Sequence, residues 1–276
     1  MKRIAVLTSG GDAPGMNCVI RSVVRVASNN NIEVTGVGYG YQGLISRDFK
    51  KLGPRDVSNI ISQGGTILKT ARSEDFFKKD IRKRAYENLI AEGIEALVVI
   101  GGNGSYKGAL ALHNDFNLPV VGIPGTIDND VNGTQRTLGF DTALNTAMDA
   151  IDKVKDTATS MDRIFLIEVM GRDSGSIAVY ASLAGGAEGV IIPQGNNDID
   201  QIITDIEEGR SKGKRSWIII IAEGSGGAEE YAQKFKKFIS DVRVTIIGHT
   251  QRGGAASVFD RFLGAVMGKE AVDALL

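Results

Sequence analysis

Short apolar runs alternate along this chain with longer stretches in which apolar residues recur every three to four positions. The runs at 4–8, 34–39, 96–100, 120–123, 164–169, 189–192, 217–222 and 242–247 are rich in Val and Ile and predict β-strands. The longer stretches predict helices at 80–92, 141–155, 199–211, 229–239 and 258–275. A further helix carries Val19, Ile20, Val23, Val24 and Ala27 as an apolar stripe, with Arg21 and Arg25 on its other side. Strands that are apolar throughout, rather than alternating, must be covered on both faces. That pattern predicts an α/β fold with mostly parallel sheets in α/β/α layers. No linker rich in Pro, Ser or charge divides the chain. Two domains would therefore interweave through short crossings near Gly139 and Gly248–Gly254. No internal repeat is evident.

A length of 276 residues allows one large or two medium domains. Thirty-two basic against thirty-three acidic side chains leave a net charge of −1, which gives no general pull toward nucleic acid or an anionic membrane. Anion binding must come from local clusters. Cys18 is the only cysteine, so no intrachain disulfide can form, and a reducing compartment fits. No apolar run approaches the ~18 residues that span a bilayer. Met1-Lys2-Arg3 runs straight into a strand with no signal-peptide core. The expectation is a soluble cytoplasmic protein. Thirty-five glycines against five prolines predict many loops lined by backbone.

Three of those loops follow predicted strands, at the end where open α/β sheets bind ligands. The first is Ser9-Gly10-Gly11-Asp12-Ala13-Pro14-Gly15 and the second Gly101-Gly102-Asn103-Gly104-Ser105. Both run into helix N-termini, whose amides and dipole favour phosphate. Neither is a Walker A motif, since no Gly precedes Lys107 and no Ser or Thr follows it, and neither matches G-x-G-x-x-G. A glycine loop can equally be a plain strand-to-helix turn. The third loop, Pro124-Gly125-Thr126-Ile127-Asp128-Asn129-Asp130, adds a hydroxyl and two carboxylates. Alone it could be a solvated turn. Two carboxylates one residue apart can also divide labour, one taking a proton and the other facing a cation. The three together point to phosphoryl transfer, which needs a phosphate cradle, a metal and a base. Arg72, Arg172 and Arg252, each among small residues in a predicted loop, suit bidentate phosphate recognition, although any one alone could be a surface charge. His249 reads as a hydrogen-bonding partner rather than a general base.

Four segments stand in order: 8–17 (TSGGDAPGMN), 124–130 (PGTIDND), 169–172 (VMGR) and 248–254 (GHTQRGG). In combination, and over essentially the whole chain, they resemble bacterial ATP-dependent 6-phosphofructokinase. The resemblance implies two interwoven domains: 1–138 plus 252–276, larger and binding ATP and Mg²⁺, and 139–251, smaller and binding fructose 6-phosphate. It also implies a homotetramer. Carried over residue by residue, Asp128 would be the base for the sugar 1-hydroxyl, Thr126 would hold the substrate, and Asp130 and position 103 would face the metal. Arg72 and Arg172 would stabilise the transferring phosphoryl. Gly11, Tyr41, Arg72, Gly102, Gly104, Ser105 and Gly108 would line the nucleotide site. Met170, Gly171, Arg172, Glu223, His249 and Arg252 would contact the sugar phosphate, joined by Arg163 and Arg243 from a neighbouring subunit. An effector site for ADP or phosphoenolpyruvate would use Arg21, Arg25, Lys155, Glu188, Lys212, Lys214 and Arg215.

Two departures from the family pattern stand out. The family usually has an aspartate where this chain has Asn103, and an amide lacks the charge that helps hold Mg²⁺. The chain also ends at Leu276, several tens of residues before its relatives, so a C-terminal part that would complete both domains is expected to be missing. These departures leave open a weakly active or non-catalytic paralogue that binds nucleotide or sugar phosphate. A pyrophosphate-dependent relative is the other alternative. In the family that donor goes with a bulky acid at position 104 and a lysine at 125. Both are glycine here, which favours ATP.

Overall fold

A computed structural model describes residues 1–239 and 241–276. Its contacts divide the chain into two compact units, Met1–Thr142 with Arg252–Leu276, and Ala143–Gln251.

The first unit begins β1 (Arg3–Thr8), α1 (Met16–Asn29), β2 (Glu33–Val37), α2 (Tyr41–Ser46) and β3 (Phe49–Leu52). It continues with α3 (Lys79–Ala91), β4 (Ala96–Gly101), α4 (Asn103–Phe116) and β5 (Val120–Pro124). The strands form one sheet in the order β3-β2-β1-β4-β5, parallel except for the β2–β3 pair. Side chains alternate between the two faces of a strand. Ala5, Leu7, Leu97 and Val99 accordingly share a core with Leu44 of α2, Ala85 and Leu89 of α3, and Ala109 and Leu112 of α4. Ile4, Val6, Val98 and Ile100 are equally buried on the opposite side.

The second unit holds most of α5 (Phe140–Ser160), then β6 (Ile164–Val169), α6 (Ser176–Gly185), β7 (Gly189–Ile191) and α7 (Ile199–Ser211), followed by β8 (Trp217–Ala222), α8 (Ala228–Phe235) and β9 (Val242–Ile246). Its four strands are parallel in the order β7-β8-β6-β9. Ile164, Leu166, Ile219 and Ile221 pack on Ile203 and Ile206 of α7 and on Tyr231 and Phe235 of α8. The chain then returns to the first unit as α9 (Val258–Asp273), where Ser22 of α1 donates to the Ala265 carbonyl over 2.7 Å.

Some elements differ from the sequence pattern, each for a local reason. The run expected at 34–39 stops at Val37, because Tyr39 and Gly40 take positive φ (54° and 59°). Strand β3 was hidden by its two lysines, which lie on the exposed edge of the sheet where charge is tolerated. Helix α6 has no polar stripe to reveal its period, and α2 is only six residues long. The division of the units falls after Thr142 rather than at 138. The buried carboxylate of Asp260, in the first turn of α9, accepts the N–H groups of Gly139 and Thr142, both at 2.8 Å. Those bonds keep the first turn of α5 with the first unit.

Candidate functional site

Strands β1, β4 and β5 are parallel neighbours, so the three loops that follow them leave the same edge of the sheet. The Ser9 N–H donates to the Ile100 carbonyl at 2.9 Å, and the Gly125 N–H to the Gly101 carbonyl at 3.0 Å. Gly101 is pinned between two of the loops. A Cβ there would stand 2.4 Å from Ser105 Oγ and 2.5 Å from the Ser9 carbonyl oxygen. Helix α1 starts from Gly15, held at φ 99°, and α4 from Gly102; neither helix has a side-chain cap. In α1 the Met16 and Cys18 N–H groups already donate to the Ala13 and Gly15 carbonyls, at 3.2 and 2.8 Å, and the turn is buried. The uncapped start of α4 is the better placed of the two to offer amides to a ligand. Asn103, Gly104 and Ser105 form the first turn of α4 rather than a loop ahead of it. A Cβ on Gly104 would meet nothing within 4 Å, whereas one on Gly125 would stand 3.0 Å from Ile100 and 3.2 Å from Met16.

The third loop is folded inward. Thr126 and Asp128 are 8% and 4% exposed, and the Asp128 N–H donates to Thr126 Oγ1 at 3.2 Å. Asn129 takes a left-handed φ of 51°, and Asp130 beyond it is exposed. Asn103 Nδ2 donates to Asp130 Oδ2 at 3.0 Å and to its carbonyl at 3.2 Å. Among the described residues no group of three His, Cys, Asp or Glu side chains converges as metal ligands would. Thr137, from the far side of the same loop, donates its hydroxyl to the Thr126 carbonyl at 2.6 Å.

Tyr41 lies beneath the first turn of α4. It is 6% exposed, its ring stacks on Phe76 with centroids 4.1 Å apart, and its hydroxyl donates to the Ser105 carbonyl. A Cβ on Gly108 would collide with that ring at 2.7 Å. Burial pushes the phenol well above its ordinary pKa. The support runs deeper. Arg82 donates to the carbonyls of Phe76 and Phe77 at 3.1 and 2.7 Å and pairs with Asp115 at 2.6 Å. Nothing in the sequence singled out Phe76, Arg82, Asp115 or Thr137, because none lies in a motif and each takes its role from contacts that only the folded chain makes. Arg72 is exposed on its loop. Arg252 ends a 3₁₀ turn rather than standing in open loop, and its guanidinium donates to the Asp12 carbonyl at 3.0 Å. It lies over Gly11, 2.7 Å from where a Cβ would be. An arginine expected at the sugar phosphate thus rests on the first glycine loop.

In the second unit, Gly171 and Arg172 have positive φ (141° and 51°), and both N–H groups donate to Glu223 Oε1, at 3.1 and 2.7 Å. Glu223 thereby shapes the turn that presents the exposed Arg172. The N–H of Met170, which is buried, donates to Gln251 Oε1 at 2.9 Å, and His249 is exposed two residues before that glutamine. Arg163 and Arg243 both pair with Asp241, each through Nε at 3.1 Å, which joins two cations from adjacent strands. Among the residues expected at an effector site, Lys214 pairs with Glu188 at 2.6 Å and Lys212 with Glu208 at 3.6 Å. Lys155 donates to the Gly185 carbonyl at 2.9 Å, and Arg215 is exposed. Glu188 and Lys214 border a groove of about 230 Å³ floored by Trp217. Arg21 and Arg25 sit in the other unit, on the outer side of α1.

Residues 3–275 match the family model described as phosphofructokinase. The chain is 52% identical to the ATP-dependent 6-phosphofructokinase of Halalkalibacterium halodurans, covering all of this chain and 86% of that one. It is 50% identical, with the same coverage, to ATP-dependent 6-phosphofructokinase 2 of Bacteroides thetaiotaomicron. In structure it is similar to phosphofructokinase from Saccharomyces cerevisiae, with a TM-score of 0.92 and 38% identity over 99% of this chain and 41% of that chain. A pyrophosphate-dependent phosphofructokinase from Marinobacter aquaeolei shares the fold at a TM-score of 0.85 and 23% identity. With its glycine loops and its Thr126–Asp130 loop on one sheet edge and a family match from end to end, the chain belongs to the phosphofructokinase family.

Proposed function

We propose that this chain transfers the terminal phosphoryl group of ATP to the 1-hydroxyl of fructose 6-phosphate, giving fructose 1,6-bisphosphate and ADP, a glycolytic reaction. The observation that carries this reading is the register of β4 and β5. Gly101 lies opposite Pro124, so the loop with Asp128 stands directly beside the turn that starts α4. A base is thereby set next to a phosphate cradle.

In this reading the first unit takes ATP. Gly11, Gly102, Gly104, Ser105 and the α4 N-terminus hold its phosphates, and Tyr41 and Gly108 support them from below. Asp128 accepts the proton of the sugar hydroxyl, and Thr126 holds the substrate. Arg72 and Arg172 spread the charge of the transferring group. The second unit takes fructose 6-phosphate through Met170, Gly171, Glu223 and His249, and Arg252 is a further contact for the sugar phosphate. The residues also fit Mg²⁺, which keeps several waters and binds through one or two carboxylates plus nucleotide phosphates. The exposed Asp130 and the adjacent Asn103 would hold it, and the ion would neutralise charge on the phosphates. Arg163 and Arg243, gathered by Asp241, would serve a neighbouring subunit of a cytoplasmic homotetramer. Arg21, Arg25, Lys155, Glu188, Lys212, Lys214 and Arg215 would receive ADP or phosphoenolpyruvate as effector.

The test is ADP release with fructose 6-phosphate and Mg²⁺, run beside the same assay with pyrophosphate as donor. Sugar-dependent ADP release with little pyrophosphate use is the expected result. ATP binding without turnover would instead favour the non-catalytic reading, in which the Asn103 amide rather than a cation satisfies Asp130.

A further inference from the structure

The loop between Gly125 and Leu138 returns to its own starting point. Gly125 and Leu138 form an isolated parallel bridge, and the Leu138 N–H donates to the Pro124 carbonyl at 2.8 Å. One residue before that closure, Thr137 is 1% exposed and bonds at two points to the segment that carries Asp128. Its hydroxyl donates to the Thr126 carbonyl at 2.6 Å, and its N–H donates to Asn129 Oδ1 at 2.9 Å. These partners lie on either side of Asp128. Asn129 is also the residue whose φ of 51° reverses the chain there, a conformation Asn tolerates better than most residues. These bonds therefore fix the Thr126–Ile127 peptide before Asp128 and the turn after it, and restrict rotation of the Asp128 backbone between them.

We infer that Thr137 is a positioning residue for phosphoryl transfer, which holds the Asp128 carboxylate in line with the substrate hydroxyl by clamping Thr126 and Asn129. This rests on the reading of Asp128 as the base. Thr137 touches no reacting atom in this scheme. Its effect is geometric, and a displacement of about 1 Å in a catalytic group can cost on the order of 100-fold in rate. The N–H bond to Asn129 does not depend on the side chain, whereas the hydroxyl makes the bond to Thr126 and a longer one to Asn129 Oδ1 at 3.4 Å, so the hydroxyl can be removed without changing shape. Valine keeps the volume and the β-branch, and serine keeps the hydroxyl.

The experiment compares Thr137→Val, Thr137→Ser, Asp128→Asn and the Thr137→Val/Asp128→Asn double variant in steady-state assays on full-length protein, with thermal melts alongside. Thr137→Val is expected to lower kcat by about 10- to 100-fold, with the KM for fructose 6-phosphate within about threefold of the parent. Thr137→Ser should recover most of the loss. In the Asp128→Asn background Thr137→Val should cost almost nothing more, since residues acting as one unit are not additive. If Thr137→Val lowers only the melting temperature, if serine and valine behave alike, or if the losses multiply, Thr137 is structural and the inference fails. If Asp128→Asn keeps parental kcat, the base assignment fails first, and the inference with it. Should Thr137→Val not fold, Asn129→Gly tests the same clamp from the half-buried acceptor side. Glycine accepts the φ but lacks the Oδ1 acceptor, and parental kcat in that variant overturns the inference.

Discussion

Asn103 gives its amide to Asp130, with Nδ2 standing 3.0 Å from Oδ2 and 3.2 Å from the Asp130 carbonyl. A side chain at this position thus satisfies the carboxylate with a proton donor, where an aspartate would repel it and leave the pair to a cation. An amide oxygen is also a weaker partner than a carboxylate for a small hard ion. Asn103→Asp should lower the Mg²⁺ concentration for half-maximal turnover by about three- to tenfold. Added Mg²⁺ should also raise its melting temperature more than it raises the parent's, because an ion that binds only the folded state stabilises it by mass action. A titration curve that does not move would place Asn103 away from the cation.

Asp128→Asn should reduce kcat by about 10²- to 10⁴-fold, the usual contribution of a positioned base. The asparagine keeps the size of the side chain in its buried setting, so the KM for fructose 6-phosphate should change little. Retained turnover would mean that another group removes the proton.

The close approach at Gly101 predicts an effect on stability and on nucleotide binding together. An alanine Cβ would lie within 2.5 Å of a backbone oxygen, and relieving that contact must push Ser9 and β4 apart. Gly101→Ala should cost about 1–3 kcal/mol in urea unfolding, as overpacking in a tight interior does. Its KM for ATP should rise as well, since Ser105 and the start of α4 are displaced. A melting curve matching the parent's would show that the loops yield without strain.

The Arg82–Asp115 pair gives a pH test of the support under Ser105. The Arg82 guanidinium holds the Asp115 carboxyl below its ordinary range. A carboxyl depressed in the folded state stabilises the protein above its unfolded pKa of about 3.9, and that contribution disappears as pH falls through the folded value. The acid limb of the melting temperature, from about pH 5 downward, should therefore be shallower in Asp115→Asn than in the parent. Parallel curves would show that the ion pair contributes nothing measurable.

Much of this protein was legible in its sequence because the signals were local. Continuous apolar runs such as 96–100 and 217–222 announced buried parallel strands, since only a sheet covered on both faces hides every side chain. Helix α7 emerged at its expected bounds, 199–211, because its apolar period is clean and Asp198 caps it through the Gln201 N–H. The glycine loops and the 124–130 segment could be placed at strand ends because the chain order of strand, loop and helix leaves no other position for them.

Tertiary structure decided what no local signal could carry. Which loops share an edge depends on the order β1-β4-β5, a matter of which strands pair and not of what each contains. Tyr41 is buried because Phe76 and Gly108 lie against its ring from 35 and 67 residues away in sequence. Arg252 settled on Gly11 and Asp12 although 240 residues separate it from the carbonyl it bonds. Thr137 was silent in the sequence although its partners are only 11 and 8 residues away. A lone threonine acquires a role only when chain closure brings it back to Thr126 and Asn129. Local periodicity reports what a residue prefers to be, whereas hydrogen bonds between distant segments depend on where the packed core puts them.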